Sequence, residues 1–339
     1  MRYAVGLPNV GEFGDPALLV ELAVAAERHG WDGVYVWDHV LYREPDWPVA
    51  NPTVVTAAIA ARTSRVRLGT LMTALPRRRV QVVAREIATL QALSGGRLVF
   101  GAALGSMDSE YAAFGEPAQL RTRAEKLDES LDVLAQLWSG REVRYAGRHV
   151  TVDGVQMVPP VREPGVVLER GDRAVPQPGD CVEPVPERGD RAAPRRGDRV
   201  ETAPERESGD RAVPVSGDRA VRGDRGVGVP VWCGGRWPAT AGFRRAARWD
   251  GVVPTHADYG KGATMPPPAL RAVLDVVAAE RGGLDGFDVA LEGRTTPGDA
   301  ASVVSSYAEV GLTWWIEAMG WWRGGVAGAA ERIAAGPYG

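Results

Sequence analysis

Cysteine is scarce in this chain: Cys181 and Cys233 are the only two in 339 residues. Two thiols supply neither a disulfide framework nor a four-ligand zinc site. Lysine is equally rare, with only Lys126 and Lys261 among 40 basic residues. The Arg-, Ala-, Gly- and Val-rich remainder suggests a GC-rich bacterial genome. No apolar run approaches the roughly 18 residues of a spanning helix. A formal net charge of −3 leaves no basic footprint for nucleic acid and no attraction to an anionic membrane. The opening MRYAVGLPNV has no long apolar stretch and no cleavage site. A soluble, cytoplasmic protein acting on a small molecule is expected. The four histidines are scattered, with no H-x-x-x-H, so no metal is expected. There is no G-x-S-x-G elbow for acyl transfer.

Large apolar side chains are missing from one stretch altogether. Residues 162–228 contain no Phe, Trp, Tyr, Ile or Met, and a single Leu. They repeat GDR six times, from Gly171, Gly189, Gly197, Gly209, Gly217 and Gly223, at irregular spacing. Such a segment cannot bury enough surface to offset the entropy of ordering it. A disordered low-complexity insertion is expected there, dividing the chain into 1–161, 162–228 and 229–339.

The flanking parts alternate strand and helix. Expected strands are 3–9, 33–37, 66–72 and 97–105, then 229–235, 250–256, 287–293 and 312–319. Asp15 with Pro16, and Asn51 with Pro52, read as helix N-caps followed by a first-position proline. A helix from about Arg121 to Trp138 turns Leu127, Leu131, Leu134 and Leu137 to one side, and Gly140 stops it. Pro238 reads as the start of a helix to about Trp249. Thr296, Pro297 and Asp299 read as a capping box. Eight strands, each followed by a helix, predict a (β/α)₈ barrel, of which about 270 residues remain once the insertion is set aside, against roughly 250 typical of the fold. A doubly wound sheet is the alternative, but its early G-x-G-x-x-G turn is absent.

A barrel of this kind carries its chemistry at the C-terminal ends of its strands. Asp38 and His39 end the second strand, where an apolar run should simply turn. A functional pair is one reading; a structural pair closing the rim is the other. Asn9 ends the first strand, and Thr70 and Thr73 lie on the third before Arg77–Arg79. Ser106, Asp108, Glu110 and Tyr111 follow the fourth. After the fifth, Gly234, Gly235 and Arg236 precede Pro238, which predicts an anion grip or merely a tight strand–helix turn. Thr255 and His256 end the sixth strand. Glu317 ends the eighth, near Trp314, Trp315, Trp321 and Trp322, which are either core or a planar pocket wall.

The strings WDH, LGTLMT-LPRRR, ALSGGRLVFG, EYAAFGE, LDESLDVLAQLWSG, GRWP and RRAARWDGVVP resemble the luciferase-like monooxygenase superfamily, in its bacterial flavin-dependent oxidoreductase branch. The likeness covers 1–160 and about 229–320. It implies a luciferase-like (β/α)₈ TIM barrel binding FMN or coenzyme F420 (8-hydroxy-5-deazaflavin) at its mouth. It implies a non-prolyl cis peptide near Leu71 and Met72, His39 beside the cofactor ring, Glu110 as an acidic residue of the pocket, and the cofactor phosphate at Gly234, Gly235 and Arg236. With Asp38 as partner to His39, and Thr70, Leu71, Met72 and Ser106 as further cofactor contacts, these are the expected site residues. The family usually has only a short link where this chain places its GDR repeats.

The expected function is flavin- or deazaflavin-dependent oxidoreduction or monooxygenation of a small organic substrate. A homodimer and a separate flavin or deazaflavin reductase are the expected protein partners. Two other classes stay open: a non-catalytic flavin-binding barrel, and a cofactor-free barrel hydrolase or isomerase.

Overall fold

Eight parallel strands close on themselves, following round the barrel as Arg2–Leu7, Trp314–Ala318, Asp288–Gly293, Gly251–His256, Val231–Trp237, Leu98–Ala103, Arg67–Ala74 and Gly33–Val36. The computed structural model describes residues 1–157, 228–258 and 264–337. Apart from Gly228, the expected insertion lies outside the described residues. The barrel strands are β1 (Arg2–Leu7), β2 (Gly33–Val36), β3 (Arg67–Ala74), β4 (Leu98–Ala103), β7 (Val231–Trp237), β8 (Gly251–His256), β9 (Asp288–Gly293) and β10 (Trp314–Ala318). Between β4 and β7 the antiparallel pair β5 (Glu142–Ala146) and β6 (Thr151–Gln156) forms a separate hairpin. Sequence periodicity missed this hairpin because β6 is almost wholly exposed and offers no apolar alternation. The helices are α1 (Pro16–Arg28), α2 (Pro52–Arg62), α3 (Val80–Ser94), α4 (Ser109–Ala112), α5 (Leu120–Trp138), α6 (Ala241–Ala246), α7 (Pro267–Arg281), α8 (Ala300–Ala308) and α9 (Gly325–Ala334). Among the described residues, no helix is long and apolar enough to cross a membrane.

Local chemistry sets several boundaries. The Asp15 carboxylate accepts from the Ala17 N–H, and Asn51 accepts from that of Val54, each ahead of a first-position proline. Gly95 closes α3 in the left-handed region, at φ 66°. Two expected starts move. Strand β7 pairs with β8 as far as Trp237, so Pro238, reached through a cis bond, is used in the turn and α6 begins only at Ala241. Asp299 Oδ1 does accept from the Thr296 N–H at 2.6 Å, half of the expected box, but α8 starts after it, at Ala300.

Strand alternation separates two cores. Outward residues such as Val5, Val34, Leu68 and Val231 pack with the helices. Inward residues fill the barrel: Ala4, Tyr35, Leu71, Val99, Trp232, Val253, Ala290, Trp314 and Ile316. The rings of Tyr35, Trp232 and Trp314 meet one another at 5.6 to 6.1 Å. They plug the barrel below its C-terminal end.

Candidate active site

Above that plug the inward groups become small or flexible. A Cβ on Gly234 would approach Ala103 Cβ at 3.1 Å and Met72 Cε at 3.6 Å. Gly101 lies so close to the third strand that a Cβ would fall 2.4 Å from Leu71 Cδ2 and 2.6 Å from the Thr70 carbonyl. The peptide bond Leu71–Met72 is cis, and the β3–β4 register shifts between Thr70 and Thr73. Glycine, alanine and methionine over a layer of large rings give a low, apolar shelf, which suits a planar heteroaromatic ring.

Beside the shelf lies a buried charged cluster. Asn9, fully buried beyond β1, fixes the chain after β2: its Nδ2 donates to the carbonyls of His39 and Ala50, and its Oδ1 accepts from the His39 N–H. Asp38 turns away from His39. Its Oδ2 accepts from the Ala74 N–H at 2.9 Å, and its Oδ1 lies 2.8 Å from Arg77 Nη2. The expectation that Asp38 partners the imidazole is therefore corrected, because adjacent residues at a strand end point to different sides. The partner is Glu110. Its Oε1 lies 3.2 Å from His39 Nδ1 and accepts from the Val40 N–H at 2.8 Å. Arg77 Nη1 reaches Glu110 Oε2 at 3.2 Å, an ion pair whose angle is too poor for a hydrogen bond. The Glu110 side chain is 1% exposed. Burial opposes its ionisation, but His39, Arg77 and the Val40 N–H outweigh burial and hold its carboxyl below the usual carboxylate range.

Glu110 sits on the single turn α4, which needs outside support. The Tyr111 hydroxyl donates to the Leu104 carbonyl at 2.7 Å. Arg123 of α5 lies over the Tyr111 ring and pairs with Asp108 at 2.6 Å. Burial pushes the Tyr111 hydroxyl up to about 12. Arg77 and Arg123 thus brace the cluster; the sequence reached Arg77 only as one of Arg77–Arg79 and did not reach Arg123. LPRRR marked a cluster of cations, but nothing in it distinguished Arg77, with a 7% exposed side chain, from Arg78, which pairs with Glu86.

His39 Nε2 makes no hydrogen bond among the described residues, while its ring touches Trp37 and Tyr42 edge-on. Because Nδ1 faces a carboxylate, the neutral ring carries its proton there and presents a lone pair at Nε2. The cluster counts two carboxylates and one guanidinium, so a proton arriving at Nε2 would make it neutral. It can hold and release one proton beside the shelf.

The other expected residues lie elsewhere. Thr70 faces out of the barrel, into a small cavity shared with Thr53, Thr56 and Arg78 between β3, α2 and α3. Ser106 is exposed in the loop after β4. Gly235 packs under the Phe243 ring, where a Cβ would come within 2.3 Å. Arg236 is exposed and donates to the Ala257 carbonyl at 2.8 Å. Its neighbour α6 has only six residues. His256 Nδ1 accepts from the Asp258 N–H. Glu317 faces outward, where it accepts from the Thr295 N–H and Trp315 Nε1 and pairs with Arg323 and Arg332.

Residues 5–175 match the model of a family described as luciferase-like monooxygenase. Over 157 residues the chain is 35% identical to an F420-dependent glucose-6-phosphate dehydrogenase of Gordonia bronchialis, covering 45% of this chain and 46% of that protein. The matched region thus spans a little under half the length of that relative. Among solved structures, the fold is similar to an F420-dependent tetrahydromethanopterin reductase of Methanopyrus kandleri, with TM-score 0.63, 14% identity, and 98% and 96% of the two chains covered. It is also similar to an F420-dependent secondary alcohol dehydrogenase, with TM-score 0.65, 15% identity and 98% of each chain covered.

Proposed function

We propose that this chain, which belongs to the luciferase-like monooxygenase family, is an oxidoreductase dependent on the deazaflavin coenzyme F420 and acting on a small organic molecule. The observation that carries this reading is His39, held at Nδ1 by a buried Glu110 and left open at Nε2 beside an apolar shelf. The curated relative named above as F420-dependent supports the choice of deazaflavin over FMN.

The shelf of Met72 and Gly234 would carry the ring, with Trp37 as its wall and Arg236 as the proposed contact to the phosphate. The bound coenzyme supplies a ring carbon that exchanges a hydride with the substrate. The chain's own work is proton handling. In the oxidising direction Nε2 takes the proton of a substrate hydroxyl, and the imidazolium faces the Glu110 carboxylate. In the reducing direction Nε2 returns that proton to a carbonyl oxygen. Arg77 keeps Glu110 ionised in both, so the imidazole stays oriented. A homodimer, and a separate deazaflavin reductase for the reducing direction, belong to the same proposal.

Titrating the purified protein with coenzyme F420 and with FMN, followed by fluorescence, tests it. Saturable binding of F420, kept in His39→Asn while turnover is lost, is the expected result. Binding of FMN alone, with oxygen-dependent turnover, would replace it with a flavin monooxygenase. Binding of neither would leave the cofactor-free barrel.

A further inference from the structure

The hold on the His39 main chain differs from the usual pairing of barrel strands. Main-chain groups pair β1 with β2 from Ala4 and Gly33 as far as Leu7 and Val36, and the Leu7 carbonyl still accepts from the Trp37 N–H at 2.9 Å. The next residue along the first strand is Pro8, which has no N–H to donate. Asn9 then takes over with its side chain. Its Oδ1 accepts from the His39 N–H at 3.1 Å and its Nδ2 donates to the His39 carbonyl at 2.9 Å, so one planar amide holds both main-chain groups of His39. The second Nδ2 hydrogen goes to the Ala50 carbonyl at 2.8 Å, and the Asn9 carbonyl accepts from the Ala50 N–H at 2.9 Å. Two carbonyls on one side of the amide and an N–H on the other leave it a single orientation.

Residues 38, 39 and 40 are each fixed from a different direction. The Asp38 carboxylate accepts from the Ala74 N–H at the end of β3, and the Val40 N–H donates to Glu110 on α4. Those two ties belong to the charged cluster; the Asn9 bonds are neutral and do not change with its ionisation. Asn9 is fully buried, so it acts only through the residues it holds. By holding His39 and Ala50 it also closes the base of the loop between them, whose Tyr42 meets the imidazole edge-on at 5.0 Å. The contact from His39 Nδ1 to Glu110 Oε1, at 3.2 Å, is already at the long end for a hydrogen bond. A small displacement of the His39 main chain breaks it, and the proton of the neutral ring is then free to sit on Nε2, where it blocks the lone pair.

We infer that Asn9 is a positioning residue: its amide sets the His39 main chain where Nδ1 meets Glu110, and so keeps the lone pair of the neutral ring on Nε2. This rests on the proposed function in taking His39 as the group that holds the proton. The arrangement is specific for an amide of this length. An Asp at this position would set a carboxylate against two carbonyls, and a Gln would add a methylene to a site with no free surface.

Nitrogen-15 NMR of the full chain, labelled at histidine and recorded at alkaline pH to populate neutral imidazoles, tests it, with His39→Asn identifying the His39 signals. The wild type should show a protonated Nδ1 and a bare Nε2 at widely separated shifts. In Asn9→Ala the two shifts should converge as both tautomers populate. Thr63→Ala, which removes two side-chain hydrogen bonds at the opposite end of the barrel, should lower the melting temperature and leave the His39 signals in place. If Asn9→Ala does not fold, hydrogen exchange in the wild type decides. The Asn9 carboxamide hydrogens should then exchange much more slowly than those of Asn51, the other asparagine of the chain and an exposed one. An unchanged tautomer in Asn9→Ala, or Asn9 carboxamide hydrogens that exchange as fast as those of Asn51, overturns the inference. If coenzyme F420 fails to bind while Asn9→Ala still shifts the tautomer, the proposed function falls and the positioning of His39 stands.

Discussion

Arg77 meets Asp38 twice: Nη2 lies 2.8 Å from the carboxylate Oδ1 and donates to the backbone carbonyl of the same residue at 2.8 Å. Its other terminal nitrogen faces Glu110. One guanidinium therefore ties the end of β2 to α4 and neutralises part of the charge that both carboxylates bring inside.

Arg77→Met leaves those carboxylates uncompensated in a buried site. Removing one partner of a buried ion pair costs about 3–5 kcal/mol. Urea unfolding should show a loss of that order, with Arg77→Lys recovering part of it. A variant as stable as the wild type would mean that water already screens the cluster.

His39→Asn keeps the size and polarity of the side chain but not its basicity. Turnover should fall by about 10²–10⁴ while coenzyme affinity and melting temperature hold. Normal turnover, or activity lost only through unfolding, removes His39 from the chemistry.

Glu110 links stability to pH. Its carboxyl titrates lower folded than unfolded, so its contribution is present above the unfolded value, about 4.3, and fades as pH falls through the folded one. As pH falls below about 4.3 the wild type should lose more stability than Glu110→Gln, measured as the shift in urea midpoint. Parallel curves for the two proteins would show that the carboxylate is not held ionised by the fold.

Arg236→Ala removes an exposed side chain whose only recorded contact among the described residues is the Ala257 carbonyl. Folding should be unchanged. Coenzyme affinity should fall by about one to two decades, the worth of a charge-assisted contact of about 1.5–3 kcal/mol. Equal affinities by F420 fluorescence would move the phosphate away from the end of β7.

The barrel itself was legible because its strands are short apolar runs and its early helices carry Asp-Pro and Asn-Pro starts, signals that act over a few residues. His39 was legible for the same reason, as a costly group at a strand end. Its partner was not: Asp38 is adjacent in sequence, while Glu110 is 71 residues away and arrives only when β2 and the segment after β4 lie side by side. Thr70 read as a site residue because it ends a strand, yet alternation along β3 turns it outward. Gly235 read as a ligand contact, but the space it leaves is taken by Phe243. Sequence shows which residues are unusual for their place; which way they face depends on register across strands.

The three rings that plug the barrel have a kinetic consequence. Tyr35, Trp232 and Trp314 are at most 1% exposed, so the interior offers no passage to the opposite end. On the proposed function, coenzyme and substrate must then use a single doorway. The molecule lodged against the floor enters first and leaves last. Steady-state patterns should be those of compulsory order, and excess substrate should trap the coenzyme behind it.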